Sequence, residues 1–373
     1  MHRSRRAFVA SAGALLGGCL APAGPGRDVA CPGPAGEGDA RIGFVGDVML
    51  GRNVDDRWGA PARGPAGVWD GMLDYLEGLD GLVCNLECCL SDRGTARDRV
   101  FTFRADPEWA VPALRAGGVD AVSLANNHVL DFGPPAFEDT LASLDAGGIG
   151  HAGAGQDLAA ALAPAHVRIG DVDVAVIGLT DRYPAYSASP RGRGTAYAPL
   201  AVGDPMTRDL VDRALERAGA GDPDLVVASL HWGPNWEVRP AGEQRRFARW
   251  LVDRGVDVVH GHSAHVVQGV EVYRGRPIIY DAGDFVDDYV VKDDLHNDRS
   301  YCFEVEVRAG TLTALRLVPV EIDRSAVTPA SDAAAAWLRD RLRTVSGAFD
   351  TTVTRDGAGL RIPLAACEDA ETD

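Results

Sequence analysis

Beyond its first twenty residues this sequence has no apolar run long enough to cross a bilayer, which excludes a polytopic membrane protein. Positive charge is also scarce. Lysine and arginine together number 37 against 54 aspartates and glutamates, a net charge of −17, and Lys292 is the only lysine. A surface of that sign repels nucleic acid and anionic lipid headgroups, so neither a nucleic-acid partner nor a general phospholipid-binding role is expected. The single lysine reads as genome composition, not chemistry. The paired two-residue cysteine spacing of a zinc knuckle is missing as well: besides Cys19 the cysteines are Cys31, Cys84, Cys88, Cys89, Cys302 and Cys367. Cys84 and Cys302 read as small core residues, while a pairing of Cys31 with Cys367 stays open. No repeat and no interior linker divides the body of the chain, which reads as one domain.

What the sequence does have begins with an address. Arg3, Arg5 and Arg6 precede the apolar run 7–16, and this start resembles a twin-arginine export signal. Leu16-Gly17-Gly18-Cys19 resembles a lipobox, so residues 1–18 are expected to be removed as a signal peptide and Cys19 to be acylated. The protein is then expected on the outer face of the cytoplasmic membrane as a lipoprotein; the alternative is a secreted protein cleaved near Ala21. Removing residues 1–18 takes away three arginines and moves the charge from −17 to −20. Residues 19–39, mostly small residues with proline and aspartate, read as a disordered tether.

Apolar residues at 46% and charged residues at 24% are an ordinary globular balance. Short apolar runs at 41–46, 81–85, 120–125, 172–178, 225–230 and 256–260 read as buried strands, with helical patterns at 107–116, 136–146, 205–218 and 242–253. Strand followed by helix, repeated, predicts a layered α/β domain. After residue 265 the strands come closely, at 266–273, 277–280, 300–308 and 311–319. This predicts an antiparallel half and a sheet-on-sheet core with helices outside. The domain is drawn over 40–322, with 323–373 as a C-terminal helix (331–345) and a frayed acidic tail.

Polar residues fall where these strands end. Asp47 follows the first strand, Asn85 and Glu87 the second, and Asn126, Asn127 and His128 the third. His231 follows the run 225–230, and His260, His262 and His265 follow the run 256–260. In open α/β sheets the carboxyl ends of the strands converge on one crevice. Two carboxylates, an amide oxygen and three imidazoles suit a divalent metal such as zinc, manganese or iron, and suffice for two ions if one carboxylate bridges. His151, His166 and His296 read as ordinary core or surface residues.

Several of these segments together resemble the capsule-synthesis CapA family, associated with poly-γ-glutamate biosynthesis. They are the stretch from Gly46 to Arg52, Asn85-Leu86-Glu87, the stretch from Ala125 to Gly133, Leu230 to Gly233, Gly261 to His265 and Tyr280 to Phe285. That family is similar to the calcineurin-like metallophosphoesterases, so the resemblance implies a four-layer α/β/β/α sandwich. It implies metal ligands Asp47, Glu87 (as the bridging carboxylate), Asn127, His231, His262 and His265. It also implies that His128 faces substrate, with Asp131 orienting its ring. Three positions depart from the pattern: Met49 and Ser263 stand where histidines occur, and Asp284 replaces a usual asparagine.

The resemblance implies two-metal hydrolysis, in which His128 protonates the leaving group and Arg52 holds an oxygen of the substrate. For Arg52 an ion pair with Asp55 or Asp131 is an equal alternative. Trp232, Trp236 and Tyr289 read as wall or stacking platform. Two functions stay open. One is a cell-surface metal-dependent hydrolase acting on a phosphoryl, amide or polymer substrate. The other is a non-catalytic surface component that helps synthesise, export or retain an anionic polymer within a membrane complex. Direct polymer binding would need metal ions or arginines such as Arg191, Arg193 and Arg239 to offset the surface charge.

Overall fold

The computed structural model describes residues 38–60 and 63–364. The predicted signal peptide, Cys19, the tether as far as residue 37, Cys31 and Cys367 lie outside them. Ala40–Val48 (β1), Gly81–Leu86 (β2), Val119–Ser123 (β3) and Gly150–Ala152 (β4) form a parallel sheet in chain order. A second sheet follows, built from Ala165–Ile169 (β5), Val172–Thr180 (β6), Leu225–His231 (β7), Val258–His262 (β8), Val270–Tyr273 (β9) and Arg276–Ile279 (β10). Its spatial order is β9-β10-β8-β7-β6-β5. The chain then returns to the first sheet.

The returning strands are Asp284–Val286 (β11), Arg299–Arg308 (β12), Thr311–Asp323 (β13), Ala326–Pro329 (β14), Thr354–Asp356 (β15) and Gly359–Pro363 (β16). They complete a ten-stranded sheet whose path is β15-β16-β13-β12-β1-β2-β3-β4, with β11 on β1 and β14 on β13.

Period-two alternation along the strands sets the layers. In β2, Leu82, Cys84 and Leu86 turn outward, against Trp109 and Ala113 of the helix Pro107–Ala116 (α1) and Phe137 of Gly133–Gly147 (α2). Val83 turns inward, joining Ile42, Phe44 and Ala121 against Val174, Val176 and Val227 of the second sheet. On the far face of that sheet Ala175, Ile177 and Leu230 meet Leu210 and Val211 of Pro205–Gly219 (α3) and Phe247 and Leu251 of Gly242–Val252 (α4). Each such fully buried large side chain contributes roughly 1.5–3 kcal/mol. The chain is therefore an α/β sandwich of four layers, α/β/β/α. Helix starts follow the sequence: Pro107 opens α1 with the Asp106 carboxylate accepting from Glu108 N at 2.8 Å, and Asp204 caps α3 through Thr207 N at 2.7 Å.

Two expectations are corrected. The closely spaced strands after residue 265 do not make one antiparallel half: β9 and β10 finish the second sheet, β10 lying parallel to β8, whereas β12 and β13 extend the first beside β1. Nor is 322 a boundary. β13 runs through it to Asp323, and β14 and β16 both pair with β13, because its long apolar edge needs partners on that side. The helix Asp332–Ser346 (α5) is present, and Ala334, Leu338 and Leu342 bury against Tyr301, Phe303 and Leu317 of the core between the sheets.

Candidate metal centre

Strand register brings the polar ends together. Asp47 stands opposite Asn85 on one side and Asp284 on the other, and His231 stands opposite His262. Gly46 makes the first of these possible: a Cβ there would lie 1.7 Å from the Gly283 carbonyl oxygen, so only glycine lets β11 close on β1 at the metal end. Asn126 fixes the third strand end, donating to Leu86 O at 2.8 Å and accepting from His128 N and Val129 N at 3.0 Å.

Two groups of donors result. Asp47, His231 and His262 bring ligand atoms within 4.8 Å of one another, and so do Asp47, Glu87, His265 and Asp284. All are buried. Asp47 belongs to both groups, whereas Glu87, which the resemblance implied as the bridging carboxylate, belongs to the second. Asp47 lies on the central strand with neighbours on both sides, and Glu87 lies one residue beyond the end of β2. Asp284, a residue noted in the sequence only as a departure, joins the second group, with its Oδ1 2.9 Å from His265 Nδ1. The Asn127 amide reaches the same place, its Oδ1 2.8 Å from Nε2 of His231, a member of the first group.

The hydrogen-bond order fixes the imidazole tautomers. Val45 O only accepts, so His260 Nε2, 2.9 Å away, carries a proton. His260 Nδ1 then accepts from Ser229 Oγ at 3.2 Å, and Ser229 Oγ accepts from His262 Nε2 at 3.0 Å. His262 Nδ1 is left with a lone pair. His231 donates through Nε2 to Asn127, so its Nδ1 is a lone pair too, and the two nitrogens face each other at 2.9 Å. Burial holds His231 at a pKa of about 3 and pushes His262 well below the ordinary value, so neither ring carries a charge at neutral pH. Burial pushes the Asp47 carboxyl up, but the protonated His265 ring outweighs it and keeps Asp47 ionised.

Opposed lone pairs beside a carboxylate repel unless a cation lies among them. Asp47 Oδ2, Glu87 Oε2 and Asp284 Oδ2 are buried without a hydrogen-bond partner, which is costly for carboxylate oxygens in a dry site. Neutral imidazoles, ionised carboxylate and orphaned oxygens fit metal ions, and these residues are the ones able to hold them.

A cleft of about 580 Å³ opens onto the centre, lined by Asn127, His128 and His265 at its floor. His128 Nδ1 lies 2.6 Å from Asp131 Oδ2, which turns Nε2 toward Glu87 Oε1 at 3.8 Å. Asp131 is itself held by Phe103 N at 2.9 Å, Arg99 at 2.6 Å and Tyr186 OH at 3.1 Å. Burial lowers the His128 pKa and Asp131 opposes that shift. Arg52 lines the cleft and pairs with Asp288 at 3.2 Å, not with Asp55 or Asp131. Trp236 and Tyr289 also line it, whereas Trp232 is buried, donating to Tyr280 O at 2.9 Å.

Arg99, Arg182 and Lys292 also line the cleft, and none of the lining residues is acidic. Sequence reasoning missed all three. They lie on loops without periodicity, and nothing local separates them from other basic residues. Of the arginines proposed for polymer binding, Arg193 pairs with Glu138 at 2.6 Å, and none of Arg191, Arg193 and Arg239 lines the cleft.

The family described as "Bacterial capsule synthesis protein PGA_cap" matches residues 41–289. A Mycobacterium tuberculosis protein named "Probable polyglutamine synthesis accessory protein" is 34% identical over 373 residues, covering 94% of this chain and 96% of its own. The capsule biosynthesis protein CapA of Bacillus anthracis is 27% identical over 300 residues, 78% of this chain and 69% of that protein. Among solved structures, a hypothetical protein from Thermus thermophilus is similar over 76% of this chain and all of its own, with a TM-score of 0.46 and 17% identity.

Proposed function

This chain belongs to the bacterial capsule synthesis protein family, and from that premise we propose that it is a cell-surface hydrolase of capsule or poly-γ-glutamate biosynthesis built on a dinuclear metal centre. The observation that carries the reading is the pair of donor groups sharing Asp47, one member of which, His265, lines a cleft together with His128. Two divalent ions, manganese, zinc or iron, would supply Lewis acidity and an activated water. The residues supply the rest. Asp131 holds His128 so that Nε2 faces the centre and delivers a proton to a leaving group. Arg52, Arg99, Arg182 and Lys292 present a cationic wall that favours an anionic substrate despite the net charge.

Elemental analysis of the purified protein with a screen of phosphodiester and γ-glutamyl substrates tests the reading. Bound metal with manganese-dependent turnover that His128→Ala abolishes is the expected result. A second reading, a non-catalytic component of a polymer-synthesis complex, is favoured by the word "accessory" in the name of the mycobacterial relative. Metal binding without turnover of any substrate class would favour it. Location belongs to the same proposal: the Leu16-Gly17-Gly18-Cys19 segment supports lipid anchoring at the outer face of the membrane. A Cys19→Ala variant should leave the membrane fraction, and its retention there would refute the anchor.

A further inference from the structure

Among the described residues the large apolar side chains that face water are Val100, Phe101, Tyr183, Met206, Val290 and Val291. Val100, Phe101 and Val290 line the cleft over the metal centre, and they are 89%, 57% and 86% exposed. Val291 follows Val290, and the Tyr183 ring lies 4.4 Å from the Arg99 guanidinium, itself part of the lining. Exposed apolar surface is thus gathered at the mouth of one cleft, with Met206 the exception. Such concentration marks a binding surface.

The same lining is also cationic. Arg52 packs over Phe101 at 5.8 Å and over Phe103 at 5.7 Å, and the Lys292 ammonium sits over the Trp236 ring at 4.7 Å. These contacts hold the two exposed cations against aromatic faces, in reach of an incoming anion. The lining therefore joins the buried donor His265, cations on aromatic faces, and bare valine and phenylalanine. A cleft of 580 Å³ is in the size range of roughly 300–1,000 Å³ that takes a whole small molecule.

We propose that the cleft binds a single amphiphilic anion, with its anionic head at the metal centre and an alkyl tail along Val100, Phe101 and Val290. The proposal rests on reading this cleft as the substrate cleft, and adds the chemical class of the ligand. The net charge of −17 opposes adhesion to an anionic bilayer, so the fit is to one amphiphile at a time and not to a charged membrane face.

The test is calorimetric titration of the full, manganese-loaded chain with inorganic phosphate, butyl phosphate and octyl phosphate below its micellar concentration. All three should bind. Octyl phosphate should bind about tenfold more tightly than butyl phosphate, because an open rim covers only part of the four extra methylenes. In the double variant Phe101→Ser and Val290→Ser the octyl-to-butyl ratio should fall to about one, whereas Met206→Ser should keep it. Both positions are exposed, and unchanged thermal melting checks that the variants fold.

Equal affinities for the two esters, with phosphate bound, would overturn the amphiphile proposal and leave the metal centre standing. No binding of phosphate or either ester would overturn both. Sedimentation with phosphatidylglycerol vesicles separates the two sources of such a head: capture of the full chain that the double variant loses would make the rim a bilayer-docking face and overturn the single-molecule form.

Discussion

His260 sets the tautomer of His262 through the hydroxyl of Ser229, which lies 3.2 Å from one ring and 3.0 Å from the other. The anchor of this relay is the Val45 carbonyl of the opposite sheet, so the packing of two sheets leaves a lone pair on His262 Nδ1. Ser229→Ala removes the relay while deleting one oxygen from a buried position. Metal affinity in a chelator competition should fall about 10- to 100-fold with the fold intact. Unchanged affinity would mean that His262 needs no such partner.

Asp47 belongs to both donor groups, whereas Glu87 and His262 belong to one each. Asp47→Asn should therefore lower the occupancy of both ions, and Glu87→Gln and His262→Ala should each lower one. Metal stoichiometry by elemental analysis after dialysis reads this directly. Loss of both ions from the Glu87→Gln variant would make Glu87 the shared ligand instead.

The His128–Asp131 pair predicts a separation of binding from turnover. His128→Ala should reduce hydrolysis of a generic phosphodiester by about 10²- to 10⁴-fold at unchanged metal content. Asp131→Asn should lower turnover too, because Asp131 fixes which ring nitrogen faces the centre. A drop in metal content in either variant would move these residues from proton delivery to the metal shell.

Gly46 tests the geometry of the centre itself. Gly46→Ala puts a methyl group 1.7 Å from the Gly283 carbonyl, a backbone atom that cannot rotate away. β1 and β11 must separate, which should cost more than about 3 kcal/mol of stability and weaken metal binding together. Wild-type melting temperature and metal affinity in this variant would show that the close approach is relaxed in solution.

Asp120 supplies a pH-dependent stability effect far from the site. Burial pushes its carboxyl up to about 6, only partly opposed by the hydrogen bond from Leu82 N at 3.1 Å. The folded state holds this proton more tightly than the unfolded chain, so stability falls as the pH rises from about 4 through 6. Asp120→Asn cannot ionise. It should be about 1 kcal/mol more stable than the parent at pH 7.5, after discounting for solvent screening, with the gap closing near pH 4. Urea midpoints of the two proteins at both pH values decide it, and a gap independent of pH would refute the assignment.

The sequence by itself determined the layers and most of the donors. Alternating apolar residues such as Val172, Val174 and Val176 on one side and Ala175, Ile177 and Leu179 on the other need two buried faces, and that requirement is local. Asp47, His231 and His262 were legible because each ends such a run, and parallel strands deliver their ends to one side. Tertiary structure decided what depends on register and on unpatterned loops. It put Asp47 in both donor groups and Glu87 in one, because β11 pairs with β1 at Asp284, 237 positions later in the chain. It brought Arg99, Arg182 and Lys292 to one wall from three loops, and it folded β16 back onto β13 from beyond residue 322. Such long-range neighbours leave no periodic trace, since each is fixed by a strand partner or a loop end that the local pattern does not encode.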